Sequence, residues 1–197
     1  MSNSYPFDQY VKDATRTESI PTEQRMSNAG IVGFLRLAVV ASKMIGAAKA
    51  AIYYNRALDR DKLGELTQEF ALVNYNLQEL DAEGKLITTE SHPGFNLRLL
   101  HGGLGMFDEA GEICEHLYNA FTKDTELDTK RLLVEIADSD WFKALIHDEL
   151  KVDEDTGRRA GIAKLKERFP DKFSEERANN RDTDKEDQAA QAVLESQ

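Results

Sequence analysis

With 197 residues, 41% of them hydrophobic, the chain has apolar material for one domain or two small ones without covalent staples, and its single cysteine, Cys114, excludes an internal disulfide. A net charge of −11 argues against a binder of nucleic-acid polymers, which must neutralise phosphates with Lys and Arg, but does not exclude a metal-bound nucleotide, which needs only a local acidic site and a few cations whatever the total charge. The apolar stretch Ile31 to Ile52 is broken by Arg36, Ser42, Lys43 and Lys49, so no signal segment and no membrane partner is expected and the protein is read as cytoplasmic.

Residues 1–27 are polar, with a short helix starting at Pro6-Phe7 and packing through Phe7, Tyr10 and Val11, and with Pro21 ending it or its linker. Residues 28–81 read as a helix hairpin, from Asn28 to near Tyr54 and from near Arg60 to Asp81. The main break follows, with Leu86-Ile87-Thr88-Thr89 as a short extended piece, His92 as an exposed loop histidine and Pro93-Gly94 as a turn. A second hairpin has Leu100, Leu104, Phe107, Leu117 and Phe121 at helical intervals, with small Gly102, Gly103, Ala110 and Gly111 permitting close approach, then the polar connection Lys123 to Asp128, then Leu132, Leu133, Ile136, Phe142, Leu145 and Ile146 between Thr129 and Leu150. Lys151 to Gly157 is a polar link, and Arg158 to Phe169 is a helix with the stripe Ile162, Leu165 and Phe169, stopped by Pro170. Thr183 to Gln197 is polar, without an apolar period, and reads as a flexible tail.

The expected architecture is therefore an all-α helical bundle in which 28–81 and 96–182 pack as one domain, flanked by the 1–27 segment and the 183–197 tail. Sliding the chain against itself by 69 positions aligns Gly33 with Gly102, Leu35 with Leu104, Leu58-Asp59 with Leu127-Asp128 and Leu63 with Leu132, which suggests an internal duplication of the hairpin.

Two acidic pairs carry the chemistry. Glu109 with Glu112, and Glu135 with Asp138, are each spaced i, i+3, so each pair shares a helix face at about 100° per residue. Like charges at that spacing repel unless a cation offsets them, and an antiparallel hairpin brings both pairs into one volume. Oxygen-only ligands suit Mg²⁺ or Mn²⁺, with remaining positions for water and substrate phosphates. The first hairpin lacks this set, since Val40, Lys43, Leu66 and Glu69 stand in the corresponding places. Lys164 and Arg168, spaced i, i+4, project from one side of their helix, towards phosphates or simply towards solvent. His101, two turns before Glu109, either lines a nucleotide pocket or is an ordinary helix histidine, and His116 and His147 read as ordinary. Cys114 reads as a buried thiol, and no His or Cys spacing suggests zinc.

The wording Glu109-Ala110-Gly111-Glu112 followed by Glu135-Ile136-Ala137-Asp138, with Arg98-Leu99-Leu100-His101-Gly102-Gly103-Leu104-Gly105-Met106 upstream, resembles the all-α nucleoside triphosphate pyrophosphohydrolases, the MazG-like superfamily. Ile162-Ala163-Lys164-Leu165-Lys166-Glu167-Arg168-Phe169-Pro170 and Asn180-Arg181-Asp182 are similar to the closing segments of its phage-type members. The resemblance implies cleavage of a nucleoside triphosphate to the monophosphate and pyrophosphate, with metal on Glu109, Glu112, Glu135 and Asp138 and with Lys164, Arg168, Asn180 and Arg181 on the nucleotide. Gly161 stands where relatives carry an Asn, and Ala137 where they carry a Gly. Phosphoribosyl-ATP or an alarmone are alternative substrates, a non-catalytic helical interaction protein is the alternative class, and a homodimer or an intramolecular pseudo-dimer is the expected assembly.

Overall fold

The computed structural model describes residues 5–23, 26–76 and 94–196, with side chains omitted for 74–76. Every regular element among them is an α-helix: α1 (Phe7–Thr15), α2 (Asn28–Tyr53), α3 (Arg60–Asn76), α4 (Leu97–Lys123), α5 (Thr129–Leu150), α6 (Glu154–Arg168), α7 (Glu175–Asn179) and α8 (Thr183–Leu194). The extended piece expected at 86–89, His92, Pro93 and the end of the helix expected to reach Asp81 lie outside the described residues. Gly94 keeps its turn character, with φ at +90°.

Most helix boundaries follow from local chemistry. Asn96 caps α4 by accepting from the backbone N–H of Arg98 and Leu99, and Asp128 caps α5 by accepting from Lys130 and Arg131. Asp124 and Lys151 end the same two helices in the left-handed conformation, at φ of 49° and 54°. Two expectations are corrected at the C-terminal end. Helix α6 starts at Glu154 rather than Arg158, because Glu154 and Asp155 favour a first turn and Glu154 pairs with Arg158 at 2.8 Å. The expected flexible tail is helix α8, capped by the Asp182 side chain and packed on α6. Its polar composition conceals one buried anchor, Glu186, which is 1% exposed.

The contacts divide the chain into two units, one holding α1, α4 and α5 and the other α2, α3, α6, α7 and α8. Within the second unit, Arg56 Nε donates to Asn179 Oδ1 at 2.8 Å, Asn179 Nδ2 donates to the Tyr54 carbonyl at 3.0 Å, and Tyr54 rests on Phe173, so the end of α2 is tied to α7. Helices α2 and α3 form a hairpin with Val40 and Leu66 buried and Arg36 paired with Glu69. Helix α2 is also long and apolar enough to cross a membrane by length and composition, contrary to the weight given to its interrupting Lys and Arg; length and composition alone assign it no membrane.

In the first unit α1 lies on α5. Trp141 Nε1 donates to the Ala14 carbonyl at 3.1 Å and to Thr17 Oγ1 at 3.0 Å, and Phe7 meets the His147 ring edge-on. Arg98 ties the chain after α1 to both long helices, through Glu18 at 2.8 Å and Asp148 at 2.6 Å, and these carboxylates raise its pKa further.

Candidate metal centre

Helices α4 and α5 meet where glycines of α4 receive Phe142 and Ile146 from the expected stripe of α5. Of the small residues expected to permit close approach, Gly102 does so, a Cβ on Gly103 or Gly111 would meet nothing within 4 Å, and Gly105 joins instead. A Cβ on Gly102 would lie 2.5 Å from Ile146 Cγ1, and one on Gly105 would lie 2.2 Å from the Phe142 ring, so the close approach requires glycine at both places. Those contacts set the antiparallel register. One turn on along α4 from Gly105 stands Glu109, and one turn back along α5 from Phe142 stands Asp138. The stripe of α4 points elsewhere: Phe107, Leu117 and Phe121 are exposed, Phe121 to 90%. Cys114 shares that side and is exposed, which corrects the expectation of a buried thiol; the buried face of α4 is the glycine-acid seam.

Three of the four predicted acids converge on the seam. One oxygen each of Glu109, Glu135 and Asp138 lie within 4.8 Å of one another, with both glutamates buried and Asp138 exposed. Glu112 is exposed and outside this group, although its charge still acts on Glu109. Burial pushes the Glu109 carboxyl above its ordinary value, and the charges of Glu112, Asp138, Glu135 and Asp108 push it further the same way. A self-repelling oxygen cluster at the protein surface fits a hard divalent cation, with three carboxylates leaving positions for water or phosphate oxygens. Glu135 also has protein partners. Arg131 Nε donates to its Oε1 at 2.9 Å, and His116 Nε2 lies 3.2 Å from the same oxygen.

His101 lines a cavity of about 930 Å³ with Leu100, Leu104, Phe107, Asp108 and Phe142, and none of the three clustered acids is in its wall. Its ring stands edge-on to Trp141 and Phe142, at 5.6 and 5.5 Å between centroids. The rest of the wall comes from the segment after α1, including Ile20 and Pro21.

The other predicted nucleotide contacts belong to the second unit, where each cation already has an acidic partner. Lys164 Nζ donates to Asp187 Oδ1 at 2.8 Å. Arg168 and Arg181 both grip Glu186, and Asn180 shares a small polar cavity with them. Sequence reasoning missed Arg131, His116, Asp187 and Glu186. Arg131 was detectable as an i, i+4 partner of Glu135, and His116 as lying about two turns after Glu109 on the same face. Nothing local marked Glu186, because a buried carboxylate and a solvated one look alike in sequence.

Set against family models, curated proteins and solved structures, the chain matches none of them.

Proposed function

We propose that the protein is a metal-dependent nucleoside triphosphate pyrophosphohydrolase of MazG-like type, cleaving a ribo- or deoxyribonucleoside triphosphate to the monophosphate and pyrophosphate. The observation that carries this reading is the meeting of Glu109, Glu135 and Asp138 oxygens within 4.8 Å across an antiparallel seam. Those three residues would hold Mg²⁺ or Mn²⁺, with Glu112 near enough to add negative charge. A bound cation supplies neutralisation of phosphate oxygens and acidification of a water. The protein's own groups do the rest. Arg131 and His116 fix the Glu135 carboxylate, Glu109 is placed by the glycine seam, and the cavity beside His101 offers an apolar wall for a base.

The same reading takes α2 and α3 as a degenerate copy of the acidic hairpin. Val40 and Leu66, buried in their own hairpin, occupy the places of buried Glu109 and Glu135, so an apolar pair replaces an acidic pair at equivalent depth. The exposed apolar face of α4 and α5, including Leu117, Phe121 and Leu133, supports a homodimer on the grounds that exposed apolar surface of this extent marks association. The test of function is pyrophosphate release from a panel of nucleoside triphosphates with Mg²⁺ or Mn²⁺. Turnover that needs the metal and disappears in Asp138→Asn is the expected result. One observation favours a second reading, a non-catalytic interaction protein: Glu135 is already charge-balanced by Arg131. Folded wild type that binds no metal and releases no pyrophosphate would favour that alternative.

A further inference from the structure

At the C-terminal end, where sequence alone suggests a tail, the side chain of Glu186 is 1% exposed and receives two arginines. Arg168 Nε donates to Oε1 at 2.8 Å while its Nη2 bonds Oε2. Arg181 repeats the pattern, with Nε to Oε1 at 3.1 Å and Nη2 to Oε2 at 2.6 Å. Four N–H donors saturate one carboxylate, and each guanidinium, with five N–H groups in a planar fork, retains donors beyond the two it uses. Both arginines, Glu186 and Asn180 line a polar cavity of about 140 Å³ between α6, α7 and α8, with room for one tetrahedral oxyanion.

The charges favour an anion there. Arg168, Arg177, Arg181 and Lys185 face Glu167, Asp182 and Glu186, four cations against three acids. Asp182 is tied to Lys185 at 3.1 Å and to the backbone at the start of α8, and Glu186 is consumed by the arginine pair. The Glu186 carboxylate between the two guanidiniums offsets their mutual repulsion and fixes both planes, so their remaining N–H groups are held in place for a further acceptor.

We propose that Glu186 is a positioning residue whose buried carboxylate holds Arg168 and Arg181 as a fixed pair that receives a phosphate-class oxyanion in this cavity. The identification of that anion with the phosphates of a nucleotide rests on the pyrophosphohydrolase reading; the cavity and the paired arginines do not. Two opposing roles make the proposal testable by sign. As a positioning residue, Glu186 aids anion binding although it is itself negative. As a competitor for the arginine forks, it opposes anion binding, and its removal would strengthen it.

The experiment is calorimetric titration of the full chain with inorganic pyrophosphate in EDTA, comparing wild type with Glu186→Gln. Binding by wild type, weakened about tenfold in Glu186→Gln despite the lost negative charge, is expected, by analogy with the lower end of what losing an orienting partner costs at metal sites. Unchanged or tighter binding in Glu186→Gln overturns the proposal, as does the absence of binding by wild type. Arg181→Lys keeps the charge, loses the fork and is more exposed, so it serves if Glu186→Gln does not fold; a similar loss is expected, and an unchanged dissociation constant overturns the proposal. A purely structural Glu186 would lower the melting temperature and leave the dissociation constant alone. Turnover of nucleoside triphosphates, measured in parallel with Mg²⁺, separates the two ideas: absent turnover with intact, Glu186-dependent pyrophosphate binding removes the enzymatic reading and leaves the positioning role standing.

Discussion

Alanine at Gly105 and alanine at Gly103, two residues apart on α4, are expected to move stability in different directions. Each substitution removes a glycine from a helix interior and so gains about 0.8–1.0 kcal/mol of helix propensity. At Gly103 nothing lies within 4 Å of the added Cβ, and that gain is all that changes. At Gly105 the Cβ would lie 2.2 Å from two atoms of the Phe142 ring, and the ring, flanked by Trp141 at 4.9 Å and His101 at 5.5 Å, can yield only towards the cavity it lines, giving up its packing on the seam. Overpacking of that kind costs about 1–3 kcal/mol. The propensity term cancels in the comparison, so Gly105→Ala should fall below Gly103→Ala by about 1–3 kcal/mol, the strain itself. Urea unfolding followed by fluorescence reads this directly, because Trp141 is the only tryptophan and its ring meets those of Phe142 and His101. Glu109 is one turn away, so the helices forced apart at Gly105 should also bind Mn²⁺ more weakly in a thermal-shift titration. Equal midpoints and slopes for the two variants would refute the seam and the metal geometry built on it.

Glu186, held at about 2 against an ordinary 4.5 by its hydrogen bonds from Arg168 and Arg181, contributes about 3 kcal/mol when ionised. Its folded value is depressed, so the contribution is whole above pH 4.5 and is lost as pH falls towards 2; urea midpoints should show that acid-side loss in wild type and not in Glu186→Gln. Glu109 has the opposite sign. Its raised value means the metal-free fold loses stability as pH climbs above the ordinary carboxylate range, so Glu109→Gln should melt higher than wild type at pH 7 without metal and gain nothing from added Mn²⁺, as thermal denaturation checks. Trp141→Phe removes the donor to Ala14 and Thr17 and should destabilise the α1 docking by about 1 kcal/mol, seen as faster amide exchange in residues 7–15.

The acidic hairpin shows how far sequence reaches. Periodicity and end chemistry place α5 from Thr129 to Leu150 as expected, because Asp128 offers a cap and each interior residue tolerates a helix. Spacing also places the acids on shared faces. Small residues mark α4 as a helix that permits close approach, but not which glycines do so: Gly102 and Gly105 meet α5 while Gly103 and Gly111 do not, since only a neighbouring side chain in the missing position tells them apart. Nor does spacing show that Phe107, Leu117 and Phe121 stay exposed while Glu109 is buried, an inversion of the usual pattern that only the opposing helix explains.

By itself, then, the chain order of residues determined the strongly periodic helices and the pairing of acids at i, i+3, all properties of neighbours within a few residues, while α8, polar and without apolar period, read as a tail. Tertiary structure alone decided that three of four acids meet, that His116 from one helix reaches Glu135 on the other, and that Glu186, in a polar stretch without apolar period, is buried between two arginines. The physical reason is that burial and charge pairing depend on what lies across a seam. A carboxylate carries the same letter whether water or a guanidinium surrounds it.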